Sequence, residues 1–288
     1  MLKSFNKKTD ENTDAEIQNI IINNMKKYLN KHNGNKGLWY PNDYFKYLRK
    51  KGFKLNKNVL DRIYDGYADP NFFEKTNSFT FKLKDKKLPS DGVLTFLEGP
   101  TIADCANATL VIYYKSLIDL IGKEVFDQLY KDNFTIWVIM NNPVDHFVFK
   151  NPPERSDEFM IGDHLHFSGV KWYTNKHPQG FGGGWNVIYV GKNEKGEDTF
   201  NAHGFKKPKT EKEIFDSLIK DYNAKRTKKD LEFIEKEKGK DKNNSLYDKK
   251  RNKWLIEFYR INTDFHNYPK KINNFFVDGY LPETLVRM

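Results

Sequence analysis

Gly99-Pro100-Thr101-Ile102-Ala103-Asp104-Cys105-Ala106-Asn107-Ala108-Thr109-Leu110-Val111-Ile112-Tyr113-Tyr114-Lys115 holds the only cysteine of the 288-residue chain. Ala106, Leu110, Tyr114, Leu117, Ile118 and Ile121 follow at i, i+4, i+8, i+11, i+12 and i+15. That spacing predicts one apolar face of a helix of period 3.6. Pro100 and Thr101 are helix-start residues, and Asp104 falls where a first turn favours an anion. Cys105 is therefore expected near the N-terminus of a buried helix. Partial positive charge there favours the thiolate, which is the nucleophilic form. A lone cysteine can equally serve as a small core hydrophobe, so the rest of the chain has to decide between the two.

Composition narrows the choice. Aromatic residues make up 15% of the chain, enough to build a core despite 31% charged residues, and the composition is not that of a disordered chain. One cysteine excludes an internal disulfide framework and leaves no thiolate cluster for a metal. The N-terminal residues run into a polar stretch with no apolar secretory core, and no apolar run is long enough to span a bilayer. The expectation is a cytoplasmic protein, or one secreted without a signal peptide, as an effector delivered into another cell would be. The net charge of +10 would suit anionic partners. The basic residues are dispersed among acids, however, and Lys and Asn are abundant throughout. Nucleic acid is not an expected partner, and no membrane span is.

Upstream of the cysteine, Asp14 to Asn30 has an amphipathic pattern, with Ile17, Ile20, Ile21, Met25, Tyr28 and Leu29 on one side. His32 to Gly37 is a turn. Asn42 to Lys50 and Lys57 to Tyr67 are short helices, and alternation over Phe79 to Leu83 predicts a strand. Val93 to Leu97 is a short apolar segment leading into Gly99-Pro100. Downstream, Lys123 to Tyr130 is helical, and Phe134 to Met140 is β-branched and aromatic, as in a buried strand. Gly162 to Phe167 begins at a turn and alternates. Lys176 to Gly184 is a glycine-rich loop followed by a strand, Trp185 to Gly191; without Gly-Lys-Ser/Thr and a following helix it is no phosphate loop. A charged hairpin turn over Asn193 to Asp198 leads to a return strand, Thr199 to Gly204. Thr210-Glu211-Lys212-Glu213 is a capping box opening a helix to Tyr222. Lys225 to Lys253 is a lysine-rich solvated segment, and Trp254 to Ile261 is apolar enough to dock.

A thiolate mechanism needs a proton acceptor, an orienting group and oxyanion donors. A cysteine helix followed by short strands suits the arrangement in which a sheet carries the base. His146, His164, His166, His177 and His203 are the candidates. His164 and His166 share one face of their strand. His203 follows a strand and precedes Gly204. Each could instead be a surface or satisfied core histidine.

With these residues in view, Asp104-Cys105-Ala106-x-Ala108-x-x-Val111-Ile112-Tyr113-Tyr114 resembles the active-site helix of bacterial spore-coat type protein-glutamine gamma-glutamyltransferases. Gly162-Asp163 with Phe167, His177-Pro178, Asn186 opening a strand that ends in Gly191, and Ala202-His203-Gly204 follow in the same order. The resemblance covers about residues 90–206. It implies an α+β fold with a papain-like (NlpC/P60-related) core, the nucleophile at a helix N-terminus packed on a small antiparallel sheet with flanking helices. The expected organisation is a mainly helical region over 1–89, a catalytic core over 90–206 and a lysine-rich helical region over 207–288. The implied activity is acyl transfer from protein glutamine to lysine or another amine, or deamidation with water, without metal or cofactor. The partners would be proteins carrying glutamine and lysine.

The sequence departs from the family at one point. Trp185 stands where the family places a glutamate that partners the cysteine, and Asp104 replaces a Glu. Another group then has to serve as base, or the chain is an inactive homologue. The expected catalytic set is Cys105, His203 and Asp104. Asn186, Trp185, His177 and Trp172 are expected around the substrate, with Asn186 a further orienter and His177 an alternative base. A cysteine peptidase or amidase on the same fold, and a basic non-enzymatic binding module, are the competing readings.

Overall fold

The cysteine lies at the first turn of a helix buried almost all round, and the surrounding elements follow from what that helix needs. The computed structural model describes residues 10–77, 79–132, 134–139, 159–169, 173–237, 247–248, 253–254 and 272–274. The chain divides into two compact units. The first comprises residues 1–165, 186–208 and 274–288, and the second residues 166–185 and 209–273.

In the first unit, α1 (Asp10–Tyr28) is followed by a small hairpin of β1 (His32–Asn33) and β2 (Lys36–Trp39), then α2 (Pro41–Lys50) and α3 (Lys57–Asp65). The expected turn over His32 to Gly37 is thus a hairpin, with the left-handed Gly34 (φ 64°) at its tip. Trp39, Leu48, Ile63 and Ile102 form a buried cluster fringed by Tyr44, Phe45 and Tyr47. β3 (Phe73–Lys75) and β4 (Thr80–Leu83) pair antiparallel.

α4 (Pro89–Glu98) corrects the sequence reading of Val93 to Leu97 as a short apolar segment. Pro89 opens the helix, and Val93, Phe96 and Leu97 are buried at i, i+3 and i+4. Thr101, expected with Pro100 at a helix start, instead forms β5 (Thr101–Ile102) with Ile102, pairing parallel with Leu38 and Trp39 of β2.

α5 (Cys105–Ile121) buries Cys105, Asn107 to Tyr114 and Ser116 to Ile118, far more than one stripe. Val111 and Ile112 lie off the expected face and are fully buried, because α1, α4 and α6 (Lys123–Leu129) all pack on this helix. A helix apolar on every side is a core helix. β6 (Thr135–Trp137) pairs antiparallel with β4, and Val138 and Ile139 beyond it are buried; Met140 lies outside the described residues.

β7 (His164–Ser168) comes next, followed by the single turn α7 (Tyr173–Lys176), β8 (Gly184–Lys192) and β9 (Asp198–Asn201). β7, β8 and β9 are neighbours in that order in one sheet. β8 and β9 are antiparallel, with Ile188 opposite Asn201 and an irregularity between Tyr189 and Gly191. The turn over Asn193 to Asp198 is the expected hairpin, with Gly196 at positive φ.

The second unit contains β10 (Lys209–Thr210), α8 (Glu211–Asn223) and α9 (Lys228–Glu237). The Thr210–Glu213 capping box forms in both directions. Ile214, Phe215, Leu218 and Ile219 are buried, and Phe215 meets Phe167 edge-on at 5.6 Å. The glycine-rich loop is held by Asp230, a fully buried carboxylate. Its oxygens accept from the backbone N–H of Gln179 and Thr227, from Thr227 Oγ1, and from His177 Nδ1 at 3.4 Å. Of the lysine-rich segment, residues 238–246 and 249–252 lie outside the described residues, as do residues 255–261. Among the described residues no helix is long and apolar enough to cross a membrane.

Candidate active site

Three backbone constraints aim the cysteine. The Ala103 N–H donates to the Trp39 carbonyl, and the Asp104 N–H donates to the Val138 carbonyl at 2.8 Å. Asp104 then adopts the extended N-cap conformation. Its Oδ1 accepts from the Asn107 N–H at 2.9 Å and from Asn107 Nδ2 at 2.8 Å. Cys105 is therefore the first residue inside the helix, and Asp104 is its cap rather than part of the first turn.

The sulfur is 8% exposed by residue and faces the start of β8. Asn186 presents two donors to it: its backbone N–H at 3.4 Å from Sγ and its side-chain Nδ2 at 3.8 Å. The carboxamide oxygen of Asn186 lies 3.0 Å from His164 Nε2. Cys105, Asn186 and His164 thus form a chain of contacts within the first unit.

The thiol differs from the sequence expectation. Burial, reinforced by the Asp104 carboxylate, pushes the Cys105 pKa up to about 12. The N–H groups of Asn186 and of Cys105 itself pull it down without reversing that. The helix terminus alone would acidify the thiol. Removal from water and an adjacent anion outweigh the helix terminus, and the resting sulfur is protonated.

The expected histidines fall in several places. His203 is fully buried against Tyr40, ring to ring at 5.8 Å and 76°. Burial pushes its pKa down to about 4, with the His32 ring adding to that and the Trp39 carbonyl and Asp43 opposing. Neither ring nitrogen meets a partner at hydrogen-bond geometry among the described residues. Among those residues the hydrogen bonds to Sγ come from Asn186, and none comes from His203. His177 belongs to the second unit, where Nδ1 faces Asp230 and Nε2 lies 3.1 Å from the Tyr222 carbonyl. His166, half-buried in β7, packs so tightly on Gly184 that a Cβ there would stand 2.5 Å from Nε2. Trp185 is half-buried and directly precedes Asn186. His146 and Trp172 lie outside the described residues. The contact between His164 and Asn186 was not singled out by sequence; alternation in Gly162 to Phe167 put His164 on a face without naming its partner. Among the described residues no cluster of histidine, cysteine or carboxylate groups could hold a metal.

Residues 39–235 match the family model described as "Protein-glutamine gamma-glutamyltransferase". This chain belongs to the protein-glutamine gamma-glutamyltransferase family. The match covers Cys105, Asn186, His164 and His203 alike. A protein-glutamine gamma-glutamyltransferase of Bacillus subtilis is 30% identical over 142 residues, covering 48% of this chain and 51% of the relative. One of Halalkalibacterium halodurans is 24% identical over 140 residues, covering 48% and 45%. The chain thus matches about half the length of these transglutaminases. A transglutaminase structure from Geobacillus stearothermophilus, solved without its C-terminal extension, superposes with a TM-score of 0.47 at 17% identity, covering 77% of this chain and 87% of that one.

Proposed function

We propose that this chain catalyses acyl transfer from the side chain of protein-bound glutamine to lysine or another primary amine, with Cys105 as nucleophile. The observation that carries the reading is the double donation of Asn186 to Cys105 Sγ at the first turn of α5, in a chain of this family. A buried thiol with two N–H groups on it is prepared for a developing negative charge that it does not carry at rest.

The chemistry balances without a metal or an external proton source. Sγ bonds to the glutamine carboxamide carbon, the C–N bond breaks, and the thiol proton leaves with the nitrogen as ammonia. The amine of the acceptor then attacks the thioester, an isopeptide bond replaces the C–S bond, and one amine proton returns to sulfur. Water in place of the amine gives deamidation to glutamate. The raised thiol pKa makes simultaneous proton movement and sulfur attack the favoured course, since free thiolate is scarce at neutral pH.

Asn186 stabilises charge on sulfur in this scheme, and Asp104 holds the cysteine turn through its cap. In this scheme the proton passes from sulfur to the leaving nitrogen without His203, which is buried against Tyr40 and makes no hydrogen bond to Sγ among the described residues. The experiment is incorporation of a fluorescent primary amine into casein, with ammonia release measured alongside. Signal in the wild type that vanishes in Cys105→Ala is the expected result. Incorporation unchanged in Cys105→Ala overturns the assignment.

A further inference from the structure

A carboxamide is a two-ended group. Turned one way, Asn186 offers Nδ2 to Cys105 Sγ; turned by half a rotation, it offers Oδ1, an acceptor facing a sulfur that must bear negative charge. The two ends are nearly the same size, so packing alone does not choose between them. What chooses is the partner at the other end, and here that partner is His164, whose Nε2 lies 3.0 Å from Oδ1 and, in the tautomer that protonates Nε2, admits only the oxygen as its neighbour.

We propose that His164 is a positioning residue for Cys105: by donating its Nε2–H to Asn186 Oδ1 it holds the carboxamide with Nδ2 toward the sulfur. This rests on the acyl-transfer reading above and gives that site a member outside its first contacts. The imidazole is itself held. It is 7% exposed, and the Tyr113 ring lies 6.0 Å away, tilted by 37°. Tyr113, on the cysteine helix, donates its hydroxyl to the Gly162 carbonyl at 2.6 Å, two residues before His164. Asp163 between them is pinned to both sides. Its carbonyl accepts from the Tyr189 N–H on β8, and its carboxylate accepts from the Met160 N–H, each at 2.9 Å. The helix bearing Cys105, the strand bearing Asn186 and the strand opened by His164 are therefore cross-tied, which fixes the register of all three groups.

With Oδ1 facing His164, the oxygen can only accept, so Nε2 carries the proton in this contact. An amide cannot take the thiol proton and pass it on to His164, so His164 does not serve as the base through Asn186. Its effect is on charge: with the amide oriented, the sulfur meets a donor, and without that orientation it meets a mixture of donor and acceptor. A hydrogen bond to a charged group is worth roughly a factor of ten or somewhat more.

The test uses the full chain with His164→Met and His164→Gln. Methionine fills the space without a donor; glutamine restores an N–H donor. The rate of Cys105 alkylation by iodoacetamide at pH 8 reads the sulfur directly, and amine incorporation reads turnover. The Met variant should slow alkylation at pH 8 about tenfold and lower kcat about tenfold, with KM for the glutamine substrate unchanged. The Gln variant should lie within about threefold of wild type on both counts. An unchanged alkylation rate in a folded Met variant overturns the proposal. Should the Met variant not fold, protein carrying ¹⁵N-histidine decides. A slowly exchanging His164 Nε2–H resonance that vanishes in Asn186→Ala supports it, and its absence from the wild type overturns it. If the wild type incorporates no amine while the Met variant still shifts alkylation, His164 keeps its role and the acyl-transfer reading falls.

Discussion

The backbone N–H of Asn186 points at Cys105 Sγ over 3.4 Å, across 81 residues of chain. The side chain of the same residue adds a second donor, so a single residue of β8 supplies both contacts to a sulfur that burial otherwise keeps protonated.

Asn186→Asp replaces the side-chain donor by an anion and leaves the backbone N–H in place. The thiol pKa should rise further, and iodoacetamide alkylation at pH 8 should slow by about tenfold or more. Wild-type alkylation should itself keep accelerating as pH rises past 9, because the thiol titrates at about 12. A plateau reached below pH 7 would contradict the protonated resting state.

Asp104 has two separable effects, capping and charge. Asp104→Asn keeps an acceptor at the N-cap and removes the anion that raises the Cys105 pKa. Stability in urea should stay within about 0.5 kcal/mol of wild type, and alkylation at fixed pH should become faster. Asp104→Ala removes the cap as well and should cost about 1 kcal/mol. Slower alkylation in the Asn variant would show that the charge acts otherwise.

His203 makes stability depend on pH. Burial lowers its folded pKa from the ordinary 6.5 to about 4. Below pH 6.5 the unfolded chain binds a proton that the folded chain refuses. The stability tied to this residue is complete above pH 6.5 and is lost as pH falls toward 4, by about 3 kcal/mol in all. His203→Phe should flatten the stability profile across that window. An equally steep profile in the variant, followed by chemical denaturation, would assign the slope to other groups.

Asp230 makes the opposite kind of contribution in the second unit. Burial would raise its pKa, but the bonds from Thr227, the Gln179 N–H and His177 outweigh it and hold the carboxyl below its ordinary value. Its stabilisation is present above the unfolded carboxylate pKa and is lost as pH falls through the lower folded value. Asp230→Ala leaves His177 Nδ1 and two backbone N–H groups without their acceptor. It should destabilise that unit by about 3–5 kcal/mol, and hydrogen exchange over residues 173–184 should accelerate. Exchange unchanged there would mean that the loop is held by other contacts.

Local interactions were legible in the chain itself. The Thr210–Glu213 capping box, the Asn193 to Asp198 hairpin turn and the apolar spacing of α8 involve partners within four residues, so composition and spacing specify them. The α4 helix was missed because Val93, Phe96 and Leu97 are few, and their 3–4 spacing looks like a plain apolar run until Pro89 is taken as its first residue. The strand at Thr101 was missed because its pairing partner, Leu38 in β2, lies 63 residues earlier and leaves no local trace.

Spacing within the stretch around Cys105 already placed the cysteine at the start of a core helix, and the motif order already named the family, since helix periodicity and short motifs are properties of consecutive residues. Tertiary packing decided which groups meet the sulfur, that its proton stays on at rest, and that His203 is sealed against Tyr40 while His164 reaches Asn186. Hydrogen-bond partners and burial depend on registers set between segments up to 175 residues apart (Asn30 and Phe205, for instance). A pKa follows the water and charge around a group, and neither is encoded in the group's immediate neighbours in the chain.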